Sequence, residues 1–142
     1  MGVAQIARSK SGDRKLHHLI LIGLGGGFGS ILRYLVSSTV QQWSKGHAFP
    51  LGTLIVNLLG CFIIGACAQL ADSRNAFSAE TRAFVFIGVL GGFTTFSTFG
   101  NETINLLRAS EVMHAALNTA SHMTCGLLAV WLGRAFVELI SK

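Results

Sequence analysis

Four apolar runs, each about as long as a bilayer is thick, take up most of this chain: residues 19–40, 51–71, 83–107 and 112–137. A helix needs about 20 residues to cross the hydrocarbon core, and in lipid its backbone groups must be satisfied internally. With 51% hydrophobic and 12% charged residues, against about a quarter charged in soluble domains, the chain reads as an integral membrane protein. Its 142 residues divide into four spans with short connections, which leaves no room for a soluble domain. The expected fold is an all-α membrane protein of four transmembrane helices over residues 18–142, preceded by a basic tail, residues 1–17. Its expected location is the inner (plasma) membrane, multi-pass.

The connections carry turn signals: Gln41-Gln42-Trp43-Ser44-Lys45-Gly46-His47 ahead of Pro50, then Asp72-Ser73-Arg74-Asn75, then Arg108-Ala109-Ser110-Glu111. Trp43 and Trp131 lie near span ends, where indole rings favour the interface. The tail carries Arg8, Lys10, Arg14 and Lys15 against Asp13 and is expected to be disordered. No small-residue cleavage site follows the first run, and Ile6 stands where a myristoylation signal needs Ser or Thr. The net charge of +5 is assigned to anionic lipid headgroups and not to nucleic acid. The side shared by the tail, the second connection and the C-terminus holds Arg8, Lys10, Arg14, Lys15, Arg74, Arg82, Arg134 and Lys142; the other holds Lys45 and Arg108. The positive-inside rule then puts both termini in the cytoplasm, with the tail supplying half of the excess side.

Polar groups within a membrane are expensive and count as functional candidates. Arg33 follows Gly25-Gly26-Gly27-Phe28-Gly29-Ser30 in the first run, placed either to snorkel to the interface or to draw anions into a vestibule. Gly23/Gly27 and Gly25/Gly29 fit small-xxx-small helix packing, and no strand precedes them as a dinucleotide fingerprint requires. Asn57, in Thr53-Leu54-Ile55-Val56-Asn57-Leu58-Leu59-Gly60, either joins helices or offers N–H groups to a passing anion. In the third run Gly91-Gly92 is expected to interrupt the helix, with the break running from Gly91 to Thr95 and exposing main-chain carbonyls to a small cation. Beyond the break Phe96 and Phe99, three residues apart, share a helical face, and aromatic ring edges are electropositive. A small desolvated anion can pass along those edges with Ser97, Thr98 or Asn57 as hydrogen-bond donors. Glu102 follows one turn later, at the water boundary or in a vestibule. Asn118, Thr119, Ser121 and Thr124 of the fourth run either complete a polar track or bond across helices. Cys61, Cys67 and Cys125 read as packing residues, and His114 and His122 have no acidic partner three or four residues on, so a side-chain metal site is not expected.

Together the four-span length, the glycine-rich first span with Arg33, the Gly52-Thr53 to Asn57 to Gly60 motif, and Gly91-Gly92-Phe93-Thr94-Thr95-Phe96-Ser97-Thr98-Phe99 followed by Glu102 resemble the CrcB/Fluc fluoride channels. The resemblance covers the chain from about Leu19 onward. It implies a homodimer of four-helix subunits, commonly in antiparallel dual topology, with two fluoride pores and a structural sodium ion at the dimer centre. Position by position, Phe96 and Phe99 match the phenylalanines that contact fluoride, and Asn57 matches the asparagine at the pore. Gly91 and Thr94 match the break residues whose carbonyls hold sodium, and Ser97 and Thr98 match the hydroxyl track. Glu102 and Arg33 match the acidic residue at the track's end and the vestibule arginine. In the fourth span, aligned on His122, Gly126 and Val130 stand where family members can present Ser or Thr.

The implied function is passive export of fluoride. Hydrogen fluoride enters across the membrane, dissociates in the cytoplasm, and the anion leaves through the channel, which lowers fluoride toxicity. No nucleophile–base pair suggests an enzyme. A small multidrug-type cation exporter, also of four spans, would need an embedded carboxylate, yet the first span has no Asp or Glu and Glu102 lies near a span end. A non-transporting membrane subunit would use the packing glycines but leave the hydroxyl and phenylalanine constellation without a purpose.

Overall fold

The computed structural model describes residues 3–44, 49–74 and 76–141, all in helices and short connections with no strand among the described residues. Four helical stretches are long and apolar enough to cross a membrane: Gly12–Trp43, Leu51–Ser73, Ala79–Arg108 and Val112–Ile140.

Helix α1 spans Val3–Trp43, so the backbone of the tail from Val3 onward is helical in place of the expected disorder. The reason is local. Ala, Gln, Arg, Lys and Leu dominate residues 3–17, and extending an existing helix avoids the cost of nucleation. Of the residues in the charge count, Lys45 and Lys142 lie outside the described residues. Helix α2 spans Leu51–Arg74, entered directly after Pro50, whose carbonyl accepts from Leu54 N–H at 3.2 Å.

The third span is built from unlike pieces. α3 (Ala79–Arg82) starts under Ser78, whose hydroxyl accepts from Thr81 N–H at 3.2 Å as an N-cap. A π-helical segment, Ala83–Leu90, follows, then a single turn α4 (Gly91–Phe93). Thr94 (φ −82°, ψ 157°) and Thr95 (φ −151°, ψ 108°) are extended, and α5 runs Phe96–Arg108. It closes with a Schellman arrangement: Ser110 takes φ 63°, its N–H donates to Leu107 O at 3.0 Å, and Glu111 N–H donates to Leu106 O at 2.9 Å. α6 then spans Val112–Ile140.

Glycines set how closely these elements approach. A Cβ on Gly25 or Gly29 of α1 would collide with backbone of the third span at Phe84, Val89 or Phe93, and one on Gly92 would collide with the Gly26 carbonyl. Gly23 and Gly27 have open space beside them. The packing role read in the first run thus falls to Gly25 and Gly29, whereas Gly92, expected to break the helix, stays within it and serves contact with α1. α6 lies along α2 in parallel register: Phe49 meets His114, Cys61 meets Gly126, Gly65 meets Val130, and Gln69 meets Arg134, which also pairs with Asp72 at 3.1 Å. These contacts group the helices mainly into two pairs, α1 with the third span and α2 with α6. Large apolar side chains such as Leu24, Phe28, Ile31, Leu127 and Trp131 are more than half exposed, a surface suited to lipid.

Candidate functional site

The interruption at Thr94 and Thr95 frees polar backbone groups, and α2 supplies their partner. Asn57 Oδ1 accepts from Thr95 N–H at 2.8 Å, while Asn57 Nδ2 donates to Thr95 O at 3.1 Å. One carboxamide therefore satisfies both backbone groups of Thr95, which is only 7% exposed. The Thr95 hydroxyl caps α5, accepting from Thr98 N–H at 3.1 Å and donating to Thr98 Oγ1 at 2.8 Å. Ser97 Oγ lies 3.3 Å from the same hydroxyl. Thr94 keeps its N–H and its hydroxyl on the Leu90 carbonyl, at 3.0 and 2.9 Å.

This routing has a consequence for two carbonyls. In an unbroken helix the N–H groups of Thr95 and Thr98 would bond the carbonyls of Gly91 and Thr94. With those donors turned to Asn57 and to the Thr95 hydroxyl, the Gly91 and Thr94 carbonyls are released from the helical ladder. Gly60 of α2 makes room here, since a Cβ on it would meet the Thr94 methyl.

Two clefts flank Thr95. The first, about 390 Å³ and mainly apolar, is lined by Asn57, Gly91, Thr94, Phe96, Phe99 and His122 among others. The Phe96 and Phe99 rings sit 5.3 Å apart at 58°, but unequally: Phe99 is 6% exposed and Phe96 is 75% exposed. Phe99 also contacts the His122 ring, 4.3 Å away at 36°. The second cleft, about 510 Å³, is less apolar than the first: Ser30, Arg33, Ser37, Thr53, Thr95 and Thr98 are among the residues that line it.

The structure brings most of the sequence-derived residues to these two spaces. Asn57, Phe96, Phe99, Gly91 and Thr94 share the first, and Arg33 and Thr98 share the second. Glu102 belongs to neither. Its Oε1 accepts from Thr53 Oγ1 at 2.6 Å, and it borders a third space of about 290 Å³ with Pro50, Asn105 and Glu111. Arg33 and Glu102, read together as vestibule residues, thus stand on separate clefts with Thr53 between them. In the fourth span the choice between track and packing splits by residue. Thr119 and Thr124 return their hydroxyls to their own helix, at Ala115 O and Ala120 O, whereas Asn118 reaches across to Thr103 at 2.9 Å. Gly126 and Val130 abut Cys61 and Gly65 of α2, so those positions serve packing. Sequence reasoning placed Thr95 at the end of the break but missed its cap on α5, and it missed the Thr53 bond to Glu102 and the Phe99 contact of His122. The Thr95-x-x-Thr98 spacing carried an N-cap signal for the first; nothing in the sequence announces the other two.

Comparison with known proteins matches the same stretch. A family described as "CrcB-like protein, Camphor Resistance (CrcB)" matches residues 20–134. A protein of Parabacteroides distasonis named fluoride-specific ion channel FluC is 46% identical over 115 residues, covering 81% of this chain and 88% of that one. One of the same name from Methylobacillus flagellatus is 41% identical over 124 residues, 87% of this chain and 97% of its own. A fluoride-specific ion channel FluC 1 from Methanosarcina acetivorans is 41% identical over 119 residues, 84% and 89%. The match spans all four helices and the Asn57–Thr95 junction between them, and on that footing the chain belongs to the CrcB family.

Proposed function

We propose that this chain is a fluoride channel that lets cytoplasmic fluoride leave down its gradient. The observation that carries the reading is the first cleft, where Asn57 holds the extended residues against α2 beside the Phe96 and Phe99 rings. Fluoride is small and strongly hydrated, so a path must replace its water with donors. Asn57 Nδ2 has two hydrogens and gives one to Thr95 O; the second is a donor for the anion. The ring edges of Phe96 and Phe99 add electropositive contact, and Ser97 and Thr98 extend the row of hydroxyls. Arg33, in the second cleft beside Thr95, raises the local anion concentration at the entrance. No bond is made or broken, and the protein acts as a channel and not as an enzyme.

The working unit in this reading is an antiparallel homodimer. Phe96 and Gly91 are exposed on one subunit, and the clefts open on its surface, so a second copy is what would close the path. The Gly91 and Thr94 carbonyls, released from the helical ladder, fit a sodium ion at the centre of that dimer, since hard cations take oxygen ligands. A bound sodium ion would supply fixed positive charge that holds the two breaks together. Among the described residues no carboxylate of the kind a multidrug-type exporter needs lines the two clefts beside Thr95, since Glu102 is tied to Thr53 and borders the third space.

The test is purified protein in liposomes, with a fluoride electrode following efflux and chloride as control. Fluoride efflux well above that of protein-free vesicles is expected, and folded protein without it would overturn the reading. Phe96→Ile and Phe99→Ile are expected to lower flux at least about tenfold, or about 1.4 kcal/mol at the barrier, while the dimer persists in size-exclusion chromatography. Normal conduction by both variants would remove the ring-edge contact from the mechanism.

A further inference from the structure

We propose that Asn118 is a positioning residue for Phe99, an inference that rests on the fluoride-conducting reading above. Asn118 is fully buried (0% exposed) and lies where α6 meets α5. Its Nδ2 donates to Thr103 Oγ1 at 2.9 Å, and that hydroxyl donates onward to the Phe99 carbonyl at 2.8 Å. Because a hydroxyl has one hydrogen and Thr103 spends it on Phe99, the oxygen is left as an acceptor. The Asn118 amide must therefore present its N–H side. One turn along, His122 Nδ1 donates to the Asn118 main-chain carbonyl at 2.9 Å, which fixes the imidazole that meets the Phe99 ring, tilted by 36°, at 4.3 Å. A single turn of α6 thus holds Phe99 twice, by its backbone and by its ring.

Packing alone does not account for an amide at this place. A buried amide costs free energy unless it is paired, and here Oδ1 has no partner, so leucine would fill the volume more cheaply. What Asn118 supplies is direction. An aromatic ring offers a positive edge and a negative face, and a turned Phe99 would exchange one for the other toward a passing anion.

The test compares Asn118→Leu, Thr103→Val and Thr103→Ser with the wild type in liposomes, following fluoride flux over a range of fluoride concentrations, chloride permeation, and dimer content. Asn118→Leu and Thr103→Val are each expected to raise the half-saturating fluoride concentration about fivefold, the factor for one lost hydrogen bond. The dimer should remain. The double variant should be no worse than either single one, because both cut the same chain, and Thr103→Ser should behave as wild type. Wild-type saturation in Asn118→Leu, or effects that multiply in the double variant, would overturn the proposal. If Asn118→Leu fails to fold, the Thr103 pair decides: Val and Ser behaving alike overturns it. A wild-type protein that conducts no fluoride would instead sink the channel reading itself.

Discussion

Both backbone groups of Thr95 lie outside the helical ladder of their own span in a residue only 7% exposed, and the Asn57 carboxamide answers them donor for acceptor and acceptor for donor. Asn57→Leu keeps the volume but leaves that N–H and C=O buried and unpaired, at about 1–3 kcal/mol each. We expect a loss of about 2–4 kcal/mol in detergent unfolding together with loss of fluoride flux. Asn57→Asp should not restore either property, since a carboxylate cannot donate to the Thr95 carbonyl. Wild-type stability in Asn57→Leu would mean that the break is held by other groups. At this scale the sequence was informative about residue types and silent about pairings. Phe96 and Phe99 were readable as neighbours because three-residue spacing on one helix fixes their distance. The Asn57–Thr95 and Asn118–Thr103 bonds join different helices, and helical periodicity carries no distance from one helix to another.

At the scale of elements, the number and place of the spans followed from length and hydropathy, and the turn signals fell where helices end. Two features did not. The break was expected to start at the glycine pair and run to Thr95, but glycine's poor helix propensity is outweighed in lipid by the cost of an unmade backbone bond. Gly92 therefore remains helical, and the chain departs two residues later, where Asn57 can complete it. The π-helical segment Ala83–Leu90 had no signature in its Ala, Phe, Val, Ile and Leu residues, which suit an ordinary helix equally well. Gly92→Ala would press a methyl into the Gly26 carbonyl and is expected to cost about 1–3 kcal/mol. Gly23→Ala, with open space at its Cβ position, should change stability by no more than about 0.5 kcal/mol. Thermal unfolding of the two variants side by side checks the contrast, and equal effects would assign α1 a different packing face.

For the molecule as a whole, the buried apolar side chains among the described residues are few and include three alanines, and the clefts open on the chain's surface. Its stability rests on the α2–α6 and α1–third-span contacts, and Asn57, the Asn118–Thr103 bond and the Phe99–His122 contact are among the links between the two pairs. A segment of the third span presented alone to a translocon should insert less readily than the same segment following α2, and Asn57→Leu should abolish the difference. Glycosylation-site mapping in microsomes measures this, and equal insertion with and without α2 would refute it. The order of the chain then acquires a meaning in time. The ribosome delivers Asn57 to the bilayer well before Thr95, so the exposed peptide group finds its complement already waiting; with the two spans exchanged, it would stand bare in oil while the next helix was being made.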